Sequence, residues 1–166
     1  MLQRITDELT EWSVGEQVQR IEDLASEFGH SIQLIQCATQ TDPDSFTFNC
    51  HAFTFGIHTA PEFKKLRVER PTVVLDGSFV AGLIGSLLRE SHNPADDDFV
   101  LYFGANSIKH SGILHAGRVR SKWGGAHTWE HAVFEVPLSY GCLVRYYKWV
   151  QSHQLLKAFL KHAATA

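Results

Sequence analysis

The chain has 166 residues, 44% hydrophobic and 20% charged, with a formal net charge of −3. This balance predicts one globular domain that buries its core without disulfides or a metal, and it excludes the basic footprint of a nucleic-acid binder. Three cysteines, Cys37, Cys50 and Cys142, are too few, and odd in number, for a disulfide framework.

The opening MLQRITDELTEW lacks the apolar stretch and cleavage site of a secretory signal,. No uncharged apolar run reaches membrane-spanning length. A cytoplasmic protein with no membrane or nucleic-acid partner is therefore expected, with signal-independent export left open.

Leu2, Ile5, Leu9 and Trp12 recur at helical spacing,. Ser13 and Glu16 then read as a capping box for a second helix. That helix carries Val18, Ile21, Leu24, Ala25 and Phe28 on one face and stops at Gly29,. Residues 31–37 read as a short strand and 39–45 as a turn. An apolar segment, 46–57, precedes a proline-interrupted loop at 59–71 and a helix at 76–91. Residues 98–105, 109–116 and 118–125 are short, β-prone and separated by turns, as in an antiparallel meander. Residues 127–149 supply a connection and a last strand, CLVRYY. SHQLLKAFLKHA (152–163) closes as a helix with Leu155, Leu156, Phe159 and Leu160 inward. Helices followed by a run of strands predict an α+β fold.

Cys50 follows Asn49, a good N-cap, and opens a possible short helix,. A thiol in a first helical turn faces the positive end of the dipole, which favours the thiolate. Unpaired backbone N–H groups there can also stabilise an oxyanion. A nucleophilic thiol needs a base, and His110 opens a predicted strand just after a turn. On that strand His110, Gly112 and Leu114 share a face, and Gly112 leaves space for a substrate chain. A buried structural cysteine and a surface or core histidine are the bland alternatives.

The stretch DDDFVLYFGANSIKHSGILHAGRV is similar to the second half of the papain-like cysteine hydrolases of the NlpC type, with His-x-Gly-Ile opening a strand. FNCHAF resembles their nucleophile segment, and the order, Cys50 and then His110 sixty residues later, agrees. The pieces NCHAF, HSGI, SKWG and PLSYG resemble a little-characterised branch of that superfamily. The resemblance spans about residues 45–147, with a helical extension at 1–30 and a helix at 150–166 outside it. It implies a papain-like antiparallel sheet of about five strands packed by helices. It further implies hydrolysis of an amide bond in a peptide or other amide-bearing substrate, by a Cys50 nucleophile and a His110 base, without a cofactor.

Asn-Cys-His departs from the usual Asp-Cys-Ser. The third group expected near 118–122 is not His, Asn or Gln; Ser121 is the substitute there, with His131 or His127 from the next segment as alternatives. Asn49, His51, Gly112 and Trp123 are the expected substrate contacts. Tyr140 is expected to pack where the last strand begins, or else to line the same cleft.

His127-Thr-Trp-Glu130-His131 matches H-x-x-E-H, a zinc-hydrolase pattern when helical. The surrounding sequence is β-like and the downstream ligand choices are few, so no metal is expected. A non-catalytic binding protein is the main rival reading. Under it the terminal helices would dock a protein partner or a second copy of the chain.

Overall fold

The computed structural model describes residues 2–8, 12–38 and 47–165. Leu9 and the turn expected at 39–45 lie outside these residues. The described chain is α+β, with six helices and one six-stranded antiparallel sheet. The strands are β1 (Gln33–Gln36), β2 (Phe99–Phe103), β3 (Ile108–His115), β4 (Arg118–Lys122), β5 (Thr128–His131) and β6 (Leu143–Tyr147). Their order across the sheet is β1-β5-β4-β3-β2-β6. The sequence expectation of about five strands is one short. The strand missed is β5, whose Thr-Trp-Glu-His was read as a connection.

The inner strands are largely buried on both faces, whereas the edge strand β1 is exposed throughout. In β2, Phe99 and Leu101 alternate with Val100 and Tyr102, and all four are buried,. Phe99 and Leu101 meet α3 (Cys50–Thr54), α4 (Pro61–Glu69), α5 (Gly77–Leu83) and α6 (Ser152–Thr165) through Ala52, Phe55, Phe63, Phe79, Leu155 and Phe159. Val100 and Tyr102 join Leu114, Val119, Trp123 and Trp129 in a second core. That core is closed by Ile21 of α2 (Val14–Phe28) and by Ile32.

The termini of these elements follow local chemistry. The Glu16 carboxylate accepts from the Ser13 backbone N–H at 3.1 Å and from its hydroxyl, and Gly29 ends α2 at φ +57°,. α1 (Leu2–Glu8) stops before Trp12, which is exposed and outside the helix. The segment 59–71 contains α4 rather than loop alone. Pro61 occupies the first helical turn, where its missing N–H costs nothing, and Pro71 lies just beyond the C-cap Arg70,. Its prolines bracket a helix instead of interrupting one. α5 is shorter than the sequence predicts: it ends at Leu83, and Gly85 turns away with φ +83°,.

Gly77, at the start of α5, is pressed against β3. A Cβ there would fall 1.9 Å from the Ile108 carbonyl oxygen, whereas one on Gly82 of the same helix meets nothing within 4 Å. Gly77→Ala is therefore expected to destabilise the fold by roughly 1–3 kcal/mol through forced backbone movement. Gly82→Ala should instead stabilise it by roughly 0.5–1 kcal/mol, the helical preference of Ala over Gly. Urea denaturation of the two variants checks the contrast, and equal effects would contradict the close approach of α5 to β3.

Candidate active site

Asn49 builds the site's first wall. Its side-chain oxygen accepts from Ala52 N–H at 3.1 Å and its amide nitrogen donates to the Leu75 carbonyl at 2.7 Å. One residue thus caps α3 and ties it to the segment before α5. One N–H of the amide and one lone pair of its oxygen serve this cap and tie, and Asn49 also borders the cleft,.

α3 packs its first turn on β3, and Cys50 is buried, 8% exposed. Burial dominates the thiol and pushes its pKa up to about 11,. The Ser111 backbone N–H, the His51 and Cys50 N–H groups and the Ser111 hydroxyl all favour the thiolate but do not offset burial. The sequence expectation of a ready thiolate is corrected here. α3 has only five residues, so its dipole is short, and desolvation of the sulfur outweighs it.

His110 is 1% exposed on β3, opposite Tyr102 of β2. Burial holds its pKa well below the usual imidazole value, with His131 and His51 adding positive-charge repulsion,. Thiol and imidazole are therefore both neutral at rest. The imidazole lies flat on Tyr140, with ring centroids 4.1 Å apart and planes 18° apart, and tilts against Tyr102 at 5.4 Å,. Its Nε2 is buried with no hydrogen-bond partner among the described residues.

Cys50 and His110 line the same open cleft of about 490 Å³, together with Asn49, His51, Asp76, Gly124 and Tyr140. Asp76 is the N-cap of α5, accepting from Ser78 and Phe79 N–H at 3.1 and 2.9 Å. A smaller cavity of about 200 Å³, elsewhere on the molecule, is bordered by Cys37, His58, Lys64 and Lys122.

The other residues singled out by sequence sit as follows. Ser121 and His131 face each other across β4 and β5. Trp123 Nε1 donates to Ser121 Oγ at 3.2 Å, and Ser121 Oγ lies 2.8 Å from His131 Nε2. His131 Nδ1 lies 2.8 Å from the Ala132 carbonyl, which needs a proton on Nδ1 and leaves Nε2 to accept from Ser121,. Neither Ser121 nor His131 hydrogen-bonds His110, whose ring instead packs against Tyr140 and Tyr102. His127 is likewise committed, between Ala38 N–H and the Val14 carbonyl.

Gly112 does not open a substrate channel. A Cβ there would meet Val119 at 2.5 Å and the Arg120 carbonyl oxygen at 2.8 Å, so the space beside it is already filled by β4. Trp123 is buried in the second core against Trp129, His131 and Tyr140 rather than walling the cleft. Its neighbour Gly124 reaches the cleft instead. His51 does border the cleft, but its Nδ1 lies 2.8 Å from Ser111 Oγ, which donates in turn to Thr54. Burial lowers the His51 pKa to about 4, against the opposing pull of Asp76.

The HTWEH motif lies on and beside a strand, not a helix. Glu130 then projects away from His131 and pairs with Arg118 and Arg120 at 3.1 and 2.8 Å,. Its carboxylate is held by two cations on the face opposite the imidazole, unlike the helical zinc-hydrolase arrangement.

Asp76 borders the cleft without having been assigned to it from sequence, whereas Tyr140, expected to pack where the last strand begins or else to line that cleft, does line it. For Tyr140 the signal was the Pro-x-x-Tyr-Gly run; for Asp76 it was an Asp-Gly-Ser N-cap, a structural cue only.

Because the thiol titrates near 11, alkylation of Cys50 by iodoacetamide is expected to accelerate steadily from pH 7 towards pH 11. A preformed thiolate–imidazolium pair would instead give a rate already level at neutral pH. Mass spectrometry of the Cys50 peptide distinguishes the two.

No family model, curated protein or solved structure matches the chain.

Proposed function

We propose that the chain is a cysteine hydrolase on a papain-like, NlpC-type scaffold, cutting an amide bond with Cys50 as nucleophile and His110 as general base. The observation that carries this reading is the shared cleft. A cysteine in the first turn of a capped helix and a histidine on the adjoining strand line one opening large enough for a peptide segment,.

The neutral resting state sets the order of events. His110 Nε2 is buried without a partner among the described residues, and the proposed mechanism assigns the thiol proton to Nδ1. Cys50 and His110 line one cleft without a hydrogen bond between them in the resting protein. The thiol proton passes to His110 as the sulfur attacks the substrate carbonyl, so charge separates only when an acyl group is present to receive it. The carbon–sulfur bond forms and the carbonyl electron pair moves onto oxygen. Collapse expels the amine, which takes the proton back from His110. Water, activated by the same imidazole, then releases the acid and restores the thiol. Stacking on Tyr140 holds the imidazole in plane through this exchange, in place of a hydrogen-bonded third residue.

Capture with electrophilic peptide probes tests the reading. Peptidyl aldehydes and vinyl sulfones of varied sequence should label wild-type protein at Cys50, and Cys50→Ala should abolish labelling. Equal labelling of the variant, through the exposed Cys37 or Cys142, would overturn it.

A further inference from the structure

The Tyr140 hydroxyl is a buried donor with nowhere to donate. It has no hydrogen-bond partner among the described residues. Around it lie the Gly124 backbone N–H, itself a donor, the face of the His110 ring and the edge of Trp123. None of these accepts a phenolic proton as an oxygen would. Burial raises the phenol pKa, and the field of Cys50 raises it further, so the proton stays in place,. The Cys50 sulfur and the Asp7 carboxylate act on this O–H through their charge without hydrogen-bonding it, and a neutral, desolvated donor left unpaired is costly unless something else completes it.

The side chain is held firmly where it is. Tyr140 ends a single 3-10 turn, Leu138–Tyr140, closed by Gly141 N–H to the Leu138 carbonyl at 3.0 Å. Gly141 has φ +110° and packs so tightly on β2 that a Cβ would fall 2.5 Å from the Phe103 carbonyl oxygen. On the other side, Asp7 of α1 accepts from Ser139 N–H at 2.9 Å and from its hydroxyl at 2.7 Å. Both Tyr140 and Cys50 border the cleft.

We infer that Tyr140 is a catalytic residue whose hydroxyl donates to the oxyanion formed when the Cys50 sulfur adds to a carbonyl, alongside the backbone N–H at the start of α3. The inference rests on the hydrolase reading. Preorganised donors of this kind are made to be satisfied in the transition state and not before. Tyr140 then has two separable tasks: its ring positions His110, and its hydroxyl receives the negative charge.

Tyr140→Phe separates them, because it keeps the ring and removes only the O–H. The probe is p-nitrophenyl acetate at pH 8. The Cys50 sulfur attacks the ester carbonyl and the thiol proton goes to His110. The carbonyl pair rests on oxygen and then returns as p-nitrophenolate leaves. Iodoacetamide is the control, since displacement of iodide by sulfur forms no oxyanion. Tyr140→Phe is expected to slow acetylation of Cys50 about 100-fold while alkylation stays within about twofold of wild type. Unchanged acetylation, or equal slowing of both reactions, would overturn the assignment. If wild-type Cys50 is acetylated no faster than Cys37 and Cys142, the hydrolase reading itself fails, and the role of Tyr140 goes with it.

Discussion

The seam between the first turn of α3 and the middle of β3 is the contact on which the site depends. Asn49 caps the helix and anchors it to Leu75, which seats Cys50 against Ser111. Ser111 follows His110 directly, so the same strand that buries the sulfur carries the imidazole. Alternation then sends the two side chains to opposite faces, with Ser111 reaching back to His51 and His110 reaching Tyr140,. Packing on this scale removes both reactive groups from water. Neither has a fixed counter-charge to replace the lost hydration, so both rest neutral,. On the proposed mechanism, reactivity is then conditional on a substrate rather than stored in an ion pair.

The terminal helices belong to the fold rather than decorating it. A sheet whose strand β2 is apolar on both sides needs cover on both sides. α6 closes one face with Leu155 and Phe159, and α2 closes the other with Ile21. α1 has a more specific contact. Its Asp7 grips Ser139, next to the tyrosine that lies on His110. The N-terminal segment thereby supports the site from a distance of more than a hundred residues of sequence.

What was legible in sequence was what local chemistry decides. The Ser13 and Glu16 cap, the Gly29 stop and the Asn49 cap each act within a turn, and each is where the residues point. The meander strands were visible because β-prone runs alternate with turn residues. The errors share a different origin. Prolines 61 and 71 mark the ends of a helix, but a proline carries no label saying whether it breaks or begins one. The Trp-Glu-His of β5 looked like a metal motif or a connection until a sheet edge gave it neighbours. The thiol's state was misjudged because first-turn position is local, whereas desolvation comes from residues far away in sequence. Gly112 and Trp123 misled for the same reason: a small or a large side chain does not announce whether its surroundings are cleft or core. Tyr140 meets His110 only through the folded sheet.

On the proposed mechanism, His110 takes the proton of a Cys50 thiol that is neutral at rest. The rate at which a peptidyl electrophile captures Cys50, followed from pH 7 to pH 11 in wild type and in His110→Ala, tests it most directly. Wild type should be faster at pH 7 by about 10²–10⁴-fold, the usual worth of a positioned base, and the two rates should converge as the thiol ionises unaided near pH 11. Equal rates at pH 7 in two folded proteins would contradict it.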